Sequence, residues 1–280
     1  MIDRAAAAAR AGLDSLFVGD HHVTPNPYYQ NTPILGRILA EWDDRDAGAL
    51  FLLPLWNPVL AAEQISTLAC ITQGRFIMQC GLGRDDYQFN AMGADIRFRP
   101  SAFEQSLDAL RRLWRGEEVS LDGRWKFDKA KISPLPPVPV EVWIGASAPA
   151  AIDRAARLGD AWLADPSMTI DEAAKALNMY RQALASHDRP EPETIPIRRD
   201  VYVAGSPAEA SAALDAVRER GYRGFDPEAL VIGTADEVAE HFSAFEKLGY
   251  TDIITRNLHS DPAEAVASTE RLGEVKSALQ

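Results

Sequence analysis

Cysteine is almost missing from this chain. Only Cys70 and Cys80 occur in 280 residues, and they form no CxxC pair. That argues against a disulfide framework and against a zinc site, and makes a reducing cytosol the simplest home. No apolar stretch approaches the roughly 20 residues that cross a bilayer, so no membrane span is expected. The start, MIDRAAAAAR, lacks the apolar core of a signal peptide, so secretion is not expected either. Basic residues are also short: 29 Lys and Arg face 41 Asp and Glu, a formal charge of −12. That balance disfavours nucleic acid and anionic membrane as partners. A single bound phosphate needs only local donors and stays compatible.

What is present is a 46% hydrophobic composition, enough for a sizeable core, and a regular beat of short apolar runs and well-marked helix starts. Ser206-Pro207-Ala208-Glu209 is a capping box with proline at the first helical position. Thr169 to Glu172 and Thr234 to Glu237 repeat the capping-box spacing, and Asn57-Pro58 and Asp261-Pro262 set a capping side chain before proline. Between these starts lie strand candidates at 15–18, 48–52, 76–80, 140–144, 160–163, 199–204 and 251–255. Seven strands in βα alternation, with the chain opening inside a helix, predict an α/β fold. The expected form is a (β/α)8 TIM barrel over 1–280 as a single domain, with the first strand lacking in this sequence or its slot filled by another segment. Residues 119–139 break the rhythm. Asp122-Gly123 reads as a hairpin turn and four prolines follow, so this segment is expected to be an excursion over one barrel face.

Three places could carry chemistry. The strand LFV runs into Gly19-Asp20-His21-His22, an acid and two imidazoles where a barrel gathers its functional groups. A histidine there can shuttle protons, with a neighbouring carboxylate setting its tautomer; the plainer reading is a hydrogen-bonded strand cap. His21 is the candidate for chemistry, and His22 is expected to turn toward the neighbouring loop. No third ligand has a metal-site spacing, so no metal is expected. Next, the apolar run Phe76–Met78 leads to Gly81 and Gly83, which could let a flat ring or a phosphate approach the backbone, or could simply make a tight turn. Last, Gly145-Ala146-Ser147 follows a strand and precedes a helix from about Pro149, a possible anion cradle or an N-cap serine. Gly48–Pro54 reads by itself as core strand.

Taken in order, these segments resemble the luciferase-like monooxygenase family, the flavin and deazaflavin barrels related to bacterial luciferase. The resemblance lies in AGLDSLFVGDHH, FLLPLWNPVLAAEQISTL with ITQGRF, the glycine loop with FNAMG, and FEQSLDALRRLW. It continues in DGRWKFDKAKISPLPPVPVEVWIGAS, ARLGDAW and VIGTADEVAEHF. It implies a (β/α)8 barrel binding flavin at its C-terminal mouth, with the family's active-site histidine at His21 beside Asp20. The non-proline cis peptide common on the family's third strand would fall at Ala49–Leu50 and support the ring. Gly81 and Gly83 would line the mouth, and the phosphate loop would match Gly145, Ala146 and Ser147. The chain departs from the family pattern at several points. Gln88 stands where Glu is frequent, Leu82 replaces a basic residue with Arg84 nearest, and Gly-Gly becomes Gly145-Ala146.

The resemblance leaves three functions open. One is a two-component monooxygenase using reduced FMN, supplied by a flavin reductase, and O2 on a small-molecule substrate. Another is hydride transfer with a deazaflavin, coenzyme F420. The third is a barrel that binds flavin without turnover. It also implies a homodimer formed through early helices, the apolar segment Pro58–Ile71 being the candidate, and a cytoplasmic enzyme.

Overall fold

The computed structural model describes residues 1–280. In chain order its elements open with α1 (Ile2–Arg10), β1 (Ser15–Val18), α2 (Asn31–Ile38), β2 (Asp46–Leu52), α3 (Pro58–Ile71) and β3 (Phe76–Gly81). There follow α4 (Asp86–Ala91), α5 (Arg99–Trp114), and the strands β4 (Val119–Asp122) and β5 (Lys126–Ala130). The rest are β6 (Glu141–Ala146), α6 (Pro149–Leu158), β7 (Ala161–Ala164), α7 (Ile170–Ser186), β8 (Pro196–Val203), α8 (Pro207–Arg220), β9 (Val231–Gly233), α9 (Ala235–Leu248), β10 (Asp252–Asn257) and α10 (Pro262–Ala278). The seven strands expected from the sequence are present in the expected order. One more, β9, is only three residues long and pairs in parallel with the C-terminal end of β8.

The chain divides into two units, one of 14–142 and one joining 1–13 to 143–280. In the first, β1, β2 and β3 form a parallel ladder with Val18 beside Ala49 and Ala49 beside Met78. Every residue from Phe76 to Cys80 is buried, as expected for a parallel strand covered on both faces. The apolar helix α3 packs against α5 and α2, which accounts for its apolar sides within the chain. Asn57 caps it by accepting from Val59 N and Leu60 N. The segment that broke the βα rhythm is the antiparallel hairpin β4–β5, with its turn at Gly123–Trp125.

In the second unit, β6 pairs β7, β7 touches β8, and β8 pairs β10, all in parallel. The capping boxes at Thr169 and Thr234 form as read from sequence, and Asp261 caps α10. Val201, Val203, Val231, Val238, Phe242, Leu272 and Val275 make one apolar cluster between sheet and helices. A polar centre lies beside it. The Asp200 carboxylate is fully buried and accepts from Arg198 Nη2 at 3.0 Å, Tyr222 Oη at 2.8 Å and Arg223 Nη1 at 2.8 Å. Burial pushes Asp200 up, yet Arg198, Tyr222 and Arg223 outweigh it and hold the carboxylate below its ordinary range. β1 pairs only with β2 along the sheet and β10 only with β8, so each leaves one edge without a strand neighbour.

Candidate active site

Parallel register decides which side chains share a face. In β2, Ala47, Ala49 and Phe51 are fully buried, whereas Leu50 and Leu52 are half-buried. Leu50 stands beside Gln79 and Leu52 beside Gly81, while Gly48 stands beside Phe17. One face of this three-stranded ladder therefore carries Phe17, Gly48, Leu50, Leu52, Gln79 and Gly81. Gly48 has no room for a side chain, because a Cβ there would press on the Ile77 carbonyl and sit 2.8 Å from the Phe17 ring. Gln79 is 5% exposed, and its Nε2 has no hydrogen-bond partner. Buried donors without partners are uncommon, and this one marks the face as polar at one point of an otherwise apolar wall.

Two sequence expectations about β2 need correction. Ala49 points its side chain to the opposite, fully buried face with Val18 and Met78, so Leu50 alone of the pair presents a side chain to the half-buried one. The Ala49–Leu50 peptide is trans; Ser133–Pro134 is the one cis bond. Both residues stay in register with β3, which an ordinary extended backbone satisfies, and the Leu50 carbonyl accepts from Asn31 Nδ2 at 2.7 Å.

Beyond the end of β1 at Val18, neighbouring side chains find different partners. Asp20 and His22 share one side and are buried. One carboxylate oxygen of Asp20, Oδ2, accepts from Leu52 N and from Trp56 Nε1, both at 2.8 Å. The other, Oδ1, lies 3.3 Å from His22 Nε2, although neither atom completes a well-aligned hydrogen bond. His22 also packs beside the Trp56 ring, with centroids 5.6 Å apart. His21 points the other way. It is half-buried, edge-on to Tyr28 at 5.7 Å, and its Nδ1 lies 3.1 Å from Gln88 Nε2. The expectation that Asp20 orients His21 therefore fails. Asp20 is engaged by Leu52, Trp56 and the His22 side, and His21 is left to Gln88.

The glycine loop is less uniform than the sequence suggested. Gly81 has room for a Cβ, whose nearest neighbour would be Leu52 Cδ2 at 3.8 Å. Gly83 has φ +73° and a Cβ there would come within 2.9 Å of the Phe89 ring, so this glycine is required by the turn itself. The polar stretch beyond it contains α4, capped by Asp85 accepting from Tyr87 N. That helix turns Gln88 and Phe89 inward, both buried.

Gly145, Ala146 and Ser147 lie in the other unit. Gly145 and Ala146 end β6 beside Leu163 and Ala164, and the Ala146 carbonyl accepts from Trp162 Nε1 at 2.9 Å. Ser147 is exposed and sits one residue too early to cap α6. The N-cap is Ala148, which offers no side-chain acceptor to the first turn. Arg84 is exposed, and Leu82 is half-buried. Sequence reasoning did not mark Trp56, Asn31 or Gln79 as part of the site, and it noted Gln88 only as a departure. No local pattern points to them.

A half-buried apolar strand face, closed at its C-terminal end by an anchored carboxylate and a presented imidazole, is the arrangement of a ligand-binding α/β barrel. The chain belongs to the luciferase-like monooxygenase family, whose model matches residues 1–229. A relative from Nakamurella multipartita, an F420-dependent glucose-6-phosphate dehydrogenase, is 29% identical over 66% of this chain and 55% of its own length. The chain thus spans about half of that relative. The oxygenase component of a flavin-dependent trigonelline monooxygenase from Acinetobacter baylyi is 23% identical over 90% of this chain and 81% of its own. Among solved structures, an F420-dependent secondary alcohol dehydrogenase in complex with an F420–acetone adduct superposes with a TM-score of 0.84. It covers all of this chain and 94% of that one at 18% identity. That likeness shows the fold, a luciferase-like (β/α)8 barrel. The family includes both FMN-dependent monooxygenases and F420-dependent dehydrogenases.

Proposed function

We propose that this chain is a flavin-type oxidoreductase. The first reading is a two-component monooxygenase that takes reduced FMN from a separate reductase and acts with O2 on a small organic substrate. The observation that carries the proposal is the strand face of Phe17, Leu50, Leu52 and Gly81, at whose end Asp20 accepts from Leu52 N, with half-buried His21 next in the chain. A tricyclic flavin asks for a flat apolar wall and for donors at its polar edge. Leu50, Leu52 and Gly81 suit the wall, and the unpartnered Gln79 Nε2 is a donor, so the residues fit the group. FMN would supply the electrons of the reaction. His21 would hold or deliver a proton at its ring nitrogen. Asp20 ties the end of β1 to Leu52 and Trp56, and so keeps the wall and the imidazole in fixed relation. In the other unit the first turn of α6 has no side-chain cap, and Gly145, Ala146 and Ser147 just before it remain the anion-cradle candidate.

A second reading, hydride transfer with F420, is favoured by the Nakamurella relative and by the alcohol dehydrogenase likeness. Fluorescence titration of the protein with FMN, reduced FMN and F420 tests both: saturable one-to-one binding of reduced FMN favours the first and of F420 the second. A homodimer is proposed as well, with the exposed Leu60 and Ile71 of α3 as its apolar contacts. Light scattering at micromolar concentration checks it.

A further inference from the structure

We infer that Gln88 is a positioning residue that fixes His21 in its Nε2–H tautomer, so that the ring presents an N–H at Nε2 and not a lone pair. Gln88 sits on α4 with 2% exposure, so its amide cannot exchange partners with bulk water. Its Nε2 lies 2.9 Å from the His22 carbonyl oxygen and 3.1 Å from His21 Nδ1. The carbonyl settles the orientation of the amide, because a backbone oxygen only accepts. Flipping the amide would set two oxygens against each other at 2.9 Å. An amide nitrogen carries two N–H groups. One goes to His22 O and the other to His21 Nδ1, which must then be the unprotonated nitrogen of the ring. The neutral imidazole keeps its proton on Nε2.

No carboxylate contests this arrangement. Asp20, the nearest acid in sequence, spends its oxygens on Leu52, Trp56 and the His22 side. A glutamate at position 88 would put an acceptor against Nδ1 and draw the proton there, leaving a lone pair at Nε2. The choice of amide over acid at one buried position thus decides whether His21 donates or accepts at its other nitrogen. The bearing of this on turnover rests on the flavin or deazaflavin reading; the tautomer itself does not.

Nitrogen-15 correlation spectra of the histidine rings, taken on the full chain at about pH 8.5, where an ordinary imidazole is neutral, read the tautomer directly. His21 is assigned by the signal lost in His21→Ala. The expected result is an unprotonated Nδ1 and a protonated Nε2 in the wild type. Gln88→Met should admit the other tautomer, and Gln88→Glu should move the proton to Nδ1. A wild-type ring protonated at Nδ1 overturns the inference, as does a ring unchanged in both variants. The wild-type spectrum decides even where a variant does not fold. FMN and F420 titrations of the same samples separate the two claims. A chain that binds neither cofactor yet keeps the Nε2–H ring removes the functional reading and leaves the tautomer standing.

Discussion

Replacing Asp20 by alanine removes the acceptor that joins the end of β1 to β2 and to Trp56. The carboxylate is wholly buried, and both of its hydrogen bonds are 2.8 Å long. A hydrogen bond to a charged group contributes about 1.5–3 kcal/mol net, and a buried donor left unmade costs a similar amount. The Leu52 N–H, at the half-buried end of β2, loses its carboxylate acceptor. Trp56 is itself half-buried, so water recovers part of its share. The sum is about 3–4 kcal/mol for Asp20→Ala. Asp20→Asn keeps an oxygen in the same place, able to accept from both donors, and should lose only about 1–2 kcal/mol, the charged character of the bonds. Urea unfolding followed by tryptophan fluorescence measures both variants, with the m-value checked for constancy. A loss below about 1 kcal/mol for alanine, or equal losses for alanine and asparagine, would refute the assignment of Asp20 as the anchor.

His21→Ala should lower turnover by about 10²–10⁴-fold while costing only about 1 kcal/mol of stability; unaltered single-turnover rates would remove its role in proton transfer. Gly81→Ala should leave the melting temperature within error and weaken flavin binding, since the fold has room for the methyl and a ring against that wall would not. Unchanged affinity moves the ring elsewhere. Gly83→Ala should instead destabilise by about 1–2 kcal/mol or more, because φ +73° is strained for alanine and the Phe89 ring stands in the way; a neutral result in the melt would contradict the turn. Burial pushes the Tyr180 hydroxyl up to about 12. The unfolded chain then ionises first, near the ordinary value of 10. This contribution is therefore complete below pH 10 and is lost as pH rises toward 12. Tyr180→Phe should flatten that alkaline slope in urea midpoints, and an identical slope would falsify the shift.

The fold was legible because helix starts and strand runs alternate with local signals. Asn57, Thr169, Thr234 and Asp261 cap the helices that their spacing announced. β9 escaped because three residues, Val231–Gly233, are too few to show a period, although an apolar run before the Thr234 cap is its trace. Within the site, His21 was legible from its place at a strand end. Its partner was not. Adjacency in sequence suggested Asp20, whereas that carboxylate is engaged by Leu52 and Trp56, and the residue that reaches Nδ1 stands 67 positions away on α4. Gly81 and Gly83 looked alike in sequence, and only the φ angle and the Phe89 ring separate an open position from an obligatory turn.

The most direct measurement is a crystal structure of the protein soaked with FMN and, in parallel crystals, with F420. The expected density places the tricyclic ring of one cofactor against Leu50, Leu52 and Gly81, with His21 Nε2 directed at it and Gln79 Nε2 engaged by its polar edge. A ring bound at any other surface, or crystals that take up neither cofactor at saturating concentration, would contradict the proposed site and the flavin-type oxidoreductase with it.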